Sequence, residues 1–131
     1  MIFVPKTIPP FVREGPADCI SADETFDGTW PFTPRFYQGN GFAQHYVDEG
    51  QGDPILLLHG EPMWGYLYRN FIPALSKTHR VIVPDHMGFG KSATPQDKEY
   101  CLRTHTTNLM GLLDSLKLEA PLTLFIQDWG I

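Results

Sequence analysis

Three apolar stretches of this 131-residue chain end in side chains suited to catalysis. Leu122-Thr-Leu-Phe-Ile126 runs into Gln127-Asp128-Trp129-Gly130. Ile55-Leu-Leu-Leu58 runs into His59-Gly60-Glu61-Pro62, and Arg80-Val-Ile-Val83 into the loop from Pro84 to Ser92. A carboxylate straight after an apolar strand, with Gly two residues on, has the spacing of a nucleophile elbow. There a sharp turn exposes the central side chain above the sheet. The leading small residue of the serine version is absent, so the same spacing also fits an Asp capping a following helix. His59-Gly60-Glu61 stands where an oxyanion-hole loop would stand. Such a hole takes one N–H from this loop and one from the residue after the nucleophile, here the backbones of Glu61 and Trp129. A turn around a buried, hydrogen-bonded histidine reads equally well from His59-Gly60 alone.

The elements that must position these residues follow from periodicity. Phe36-Tyr37, Gly39-Asn40-Gly41 and Gln44 to Asp48 read as strand, turn and strand. The run at 55–58 is short and continuously apolar, as in a strand covered on both faces. From Trp64 to Leu75, apolar residues recur at helical offsets, with Pro73 expected to bend or shorten the helix. Residues 80–83 form a second buried strand. Thr104 to Leu116 places Leu109, Leu112, Leu113 and Leu116 on one helical face and ends at basic Lys117. The last strand is 122–126. Strand, helix, strand, helix, strand means an α/β protein with a parallel sheet and right-handed crossovers. Active-site groups of such sheets lie beyond the carboxyl ends of the strands, where all three segments fall.

Composition narrows the class. The length suits one domain, divided into an irregular arm over residues 1–34, punctuated by Pro9-Pro10, Gly15-Pro16 and Thr33-Pro34, and a core over 35–131. With 42% hydrophobic residues a buried core is expected. A net charge of -5 without a Lys/Arg cluster argues against a nucleic-acid partner. No apolar run is long enough to span a membrane, and the first residues do not read as a secretory signal. Cys19 and Cys101 form no C-x-x-C pair, which fits a reducing cytoplasm. His86 and His105 lack ligand-spaced partners and read as surface or capping residues rather than metal ligands. Gly88-Phe89-Gly90-Lys91-Ser92 lacks the first Gly of a phosphate loop, since Asp85 stands there. Trp64, Tyr66 and Tyr68 read as packing residues. Arg69 is either a surface residue or the ion-pair partner of an acid near the loops.

Taken together, 59–69 (HGEPMWGYLYR), 84–92 (PDHMGFGKS) and 127–130 (QDWG) closely resemble three consecutive segments of the haloalkane dehalogenases. The likeness spans roughly residues 42–130. It implies the N-terminal part of an α/β-hydrolase fold, up to the elbow, with Asp128 as nucleophile. It implies cofactor-free hydrolysis of a small halogenated substrate through an Asp alkyl ester, and a halide held by the Trp129 indole. Glu61, where other branches carry Asn, resembles the branch whose second halide donor is a cap Trp. An epoxide hydrolase of the same fold is the nearest alternative, and an inactive or partner-dependent α/β fragment the non-enzyme one.

The resemblance also implies parts that this chain does not supply. Elbow hydrolases run nucleophile, acid, His, and only Trp129, Gly130 and Ile131 follow Asp128. Ile131 stands where many members have a second Gly. His59 matches the loop position and not the base. A parallel sheet that stops at its central strand leaves an edge open, so a missing C-terminal half or second chain is expected as a partner, and isolated turnover is not.

Overall fold

The computed structural model describes residues 20–130; the part of the arm over 1–19, Cys19 and Ile131 lie outside the described residues. Residues 20–34 run as turns and extended chain before the first strand. Five strands follow: β1 (Arg35–Tyr37), β2 (Gln44–Glu49), β3 (Pro54–Leu58), β4 (Arg80–Pro84) and β5 (Thr123–Ile126). They form one sheet in the order β1-β2-β4-β3-β5. β1 and β2 are an antiparallel hairpin joined to β4, whereas β3 pairs in parallel with both β4 and β5. Every residue of β3 is buried, as its continuous apolar run requires.

The stretch after β3 is not one helix. It is a 3₁₀ turn over Gly65–Tyr68 followed by a five-residue helix, α1 (Phe71–Leu75), with Pro73 at its centre. Proline has no N–H to donate, so it is tolerated in the first turn of a helix and not further in. A first turn is all that α1 contains. The long helix α2 (Leu102–Leu116) begins two residues earlier than its periodicity suggests. It stops at Lys117, whose left-handed backbone (φ 49°) ends the helix.

Two apolar layers flank the sheet. On one face Val47, Ile55, Leu57, Val81 and Val83 pack with Trp30, Tyr68 and Ile72. On the other, Leu56, Leu58 and Ile82 meet Leu109, Leu113 and Leu116 of α2. These are three of the four leucines read from the sequence as the inward face, and the fourth, Leu112, is fully buried. β5 lies at an edge, and its Leu124, Phe125 and Ile126 are exposed. No helix among the described residues is long and apolar enough to cross a membrane.

Candidate active site

β3, β4 and β5 run in parallel, so their carboxyl ends deliver His59, Asp85 and Asp128 to one rim of the sheet. Asp128 opens a 3₁₀ turn directly after β5 and has φ 54°. A non-glycine residue with left-handed backbone is uncommon, and such strain persists only where surrounding contacts enforce it. Two glycines allow those contacts. A Cβ on Gly130 would lie 2.7 Å from the Leu58 carbonyl, and one on Gly60 would lie 2.5 Å from Asp128 Cβ. The turn therefore closes directly against the end of β3.

The Glu61 amide donates to Asp128 Oδ2 at 3.3 Å, and the Gly60 amide to Gln127 Oε1 at 3.3 Å. Asp128 itself is exposed to solvent. Trp129, 65% exposed, forms part of the wall of a cleft of about 290 Å³ with Gly60, Glu61, His86, Tyr100 and His105. The structure thus places Glu61 and Trp129 beside Asp128.

His59 is fully buried. Its Nδ1 lies 2.9 Å from the Gly60 carbonyl, and its Nε2 accepts the His86 amide at 2.9 Å. Burial, opposed by Asp85 and the Gly60 hydrogen bond, lowers its pKa and favours the neutral ring. His86 is pushed down to about 4, by burial first and then by His59 and His105. Burial also lowers the pKa of His105.

These two histidines were not legible as site residues. His86 and His105 are half-buried, and their rings stand 5.3 Å apart in the cleft. The available signal was positional, since His86 directly follows the strand-end Asp85.

Asp85 anchors the rim from below. Its buried carboxylate accepts the Gly65 amide at 2.7 Å and the Lys91 amide at 2.9 Å, and it pairs with His45 Nδ1 at 2.8 Å. Lys91 is buried, and its Nζ donates to the carbonyls of Ala22 and Glu24 at 2.8 and 2.7 Å. The glycine-rich loop therefore binds the chain's own arm and does not present Lys91 to a phosphate. Among the described residues Arg69 meets no carboxylate; its guanidinium lies over the Tyr66 ring, 4.4 Å from the centroid. Tyr68 packs as expected, with its hydroxyl donating to the Leu58 carbonyl. Among the described residues no three His, Cys, Asp or Glu groups are arranged to hold a metal ion.

A strand-end carboxylate on strained backbone, met by an amide from the neighbouring strand-end loop, is the elbow arrangement of one fold family. The sequence profile of the alpha/beta hydrolase fold matches residues 53–130. The chain belongs to the alpha/beta hydrolase fold family. It is 44% identical over 106 residues to a cis-3-alkyl-4-alkyloxetan-2-one decarboxylase of Shewanella oneidensis, covering 79% of this chain and 33% of that protein. It is 51% identical over 90 residues to a haloalkane dehalogenase of Psychrobacter cryohalolentis, covering 66% and 29%. Among solved structures, the haloalkane dehalogenase DpaA of Paraglaciecola agarilytica NO2 superposes with a TM-score of 0.75 at 36% identity, covering 89% of this chain and 40% of that one. An epoxide hydrolase of Vigna radiata superposes with a TM-score of 0.69 at 32% identity, covering 76% and 31%. The chain spans about a third of the length of the curated relatives it matches.

Proposed function

We propose that Asp128 is the nucleophile of a hydrolase that cleaves carbon–halogen bonds. The observation that carries this reading is its left-handed backbone directly after β5, with the Glu61 amide on Oδ2. That amide leaves Oδ1 as the attacking atom. Oδ1 forms a C–O bond to the alkyl carbon while the C–halogen bond breaks, and the halide leaves with the electron pair. Water then adds to the ester carbonyl carbon. Negative charge develops on Oδ2, where the Glu61 amide already points, and the Trp129 amide is the second donor of the proposed oxyanion hole. Collapse of that intermediate releases the alcohol and restores the carboxylate.

The Trp129 indole is the proposed halide donor. It offers an N–H and no acceptor, which suits a weakly hydrated anion beside an apolar wall. The proposed chemistry needs no metal or cofactor. A base must take a proton from the water, and in the chain order of elbow hydrolases it follows the nucleophile. With about a third of its relatives' length present, turnover is assigned to a longer or complemented protein. Ester formation needs no base, only the carboxylate held in place by the Glu61 amide, and can be sought in this chain.

A second reading rests on the decarboxylase relative. The same carboxylate facing a strained oxetan-2-one ring would serve a reaction that loses CO2 and leaves an alkene, with no water consumed. Product analysis separates the readings. A protein spanning the relatives' full length, carrying these residues, is given a bromoalkane, an alkyl epoxide and a cis-dialkyl oxetan-2-one in turn. Bromide release supports the dehalogenase; diol alone, or alkene with CO2 alone, replaces it. None of the three products would reject Asp128 as nucleophile.

A further inference from the structure

We infer that His59 is a positioning residue that aims the Glu61 amide at Asp128. The inference rests on the reading of Asp128 as nucleophile but is carried by separate hydrogen bonds. A backbone amide can only donate, so the His86 N–H on Nε2 fixes the proton of the neutral ring on Nδ1. Nδ1–H then donates to the Gly60 carbonyl. That carbonyl and the Glu61 N–H belong to one planar peptide unit and point in opposite directions. Gripping the oxygen from one side therefore sets the direction of the N–H on the other, where Asp128 Oδ2 lies at 3.3 Å.

The surroundings make this grip decisive. Glu61, Pro62 and Met63 are all exposed, so little packing holds the loop beyond Gly60. Among the described residues the Gly60 carbonyl has one other donor, the Met63 amide, which belongs to the same exposed turn and so gives no anchor outside it. His59 is anchored from outside it: the ring is fully buried, tied to the end of β4 through the His86 amide, and tilted against the rings of His86 and Phe89 with centroids 4.5 and 5.5 Å away. Both ring nitrogens are committed, so His59 has no free lone pair with which to serve as a base. Its place beside the site is explained by orientation.

Three variants divide the two bonds. His59→Asn keeps a donor at the δ position and loses the acceptor for His86. His59→Gln keeps an acceptor at the ε position and loses the donor to Gly60. His59→Phe keeps a ring and loses both. Two readouts are taken on the 131-residue chain: the response of the Glu61 amide resonance to Asp128→Asn, and the rate of covalent adduct formation with a bromoalkane by intact mass. In the parent, Asp128→Asn should shift the Glu61 amide. That response should vanish in the Phe and Gln backgrounds and persist in Asn. Adduct formation should slow by about tenfold or more in Phe and Gln and be rescued in Asn. An undiminished Glu61 response in Phe or Gln overturns the proposal, as does its loss in Asn and Gln alike. If Phe does not fold, the Asn and Gln pair decides. Absence of any adduct in the parent would count against the nucleophile, while the amide response still judges His59.

Discussion

Asp128 shows how a single residue's backbone carries functional information that its identity does not. Its side chain fits an N-cap as well as a nucleophile, and the left-handed φ of 54°, met by the Glu61 amide, is what supports the proposed nucleophile. That φ depends on long-range contacts with Gly60 and the Leu58 carbonyl, which no local sequence window contains. Gly60→Ala should therefore displace the elbow. The added Cβ meets Asp128 Cβ and the Gln127 carbonyl, at 2.5 and 2.8 Å, neither of which can swing aside freely. Loss of the Glu61–Asp128 hydrogen bond in the amide spectrum, with the sheet's far resonances unmoved, is the expected result. The histidines make a second prediction at this scale. His86, with a pKa near 4 in the fold and about 6.5 when unfolded, is buried as the neutral ring. Between those values the unfolded chain binds more protons, so stability rises with pH and is lost as pH falls from about 6.5 toward 4. The loss is on the order of 3 kcal/mol. Denaturant titrations across that range should show the slope, and His86→Phe should flatten it.

The elements were legible to the extent that their signals were local. β3, β4 and β5 appear as short apolar runs, and α2 as a leucine face that does meet Leu56, Leu58 and Ile82. The strand order was not legible, because pairing of β3 between β4 and β5 depends on crossovers rather than on any residue pattern. The stretch after β3 misled for a specific reason. Its helical spacing is real, but Asp85 takes the Gly65 amide into its own hydrogen bond and Tyr68 reaches back to the Leu58 carbonyl, so the chain breaks into a 3₁₀ turn and a single helical turn. The burial of α2 gives a direct check on the helix assignment. Leu112 is fully buried, so Leu112→Ala should cost about 2–5 kcal/mol in urea unfolding. Exposed Arg103 on the same helix provides the control, since Arg103→Ala should change stability by no more than about 0.5 kcal/mol.

At the scale of the whole molecule, the arm and the site share one support. Lys91 holds the carbonyls of Ala22 and Glu24, and its own amide binds Asp85, which in turn holds the loop at Gly65. Trp30, Phe32, Trp64 and Tyr66 add an aromatic contact between arm and core. Lys91→Met keeps most of the buried stem but removes the donor. Limited proteolysis should then cut near residues 20–24 faster than in the parent, with β3 and β4 still protected. Unchanged cleavage would mean that the aromatic contact alone retains the arm. None of this coupling was visible in the sequence, where Lys91 stood out as part of an incomplete phosphate-loop pattern and of the 84–92 segment, neither of which points to the arm. The central claim is chemical and has a direct test. The chain is incubated with 1-bromobutane, digested and mapped by mass spectrometry. A single butyl group on Asp128, absent in Asp128→Asn, is the predicted result. Butylation confined to Cys101, which lines the cleft beside Trp129, or an adduct unaffected by Asp128→Asn, would contradict it.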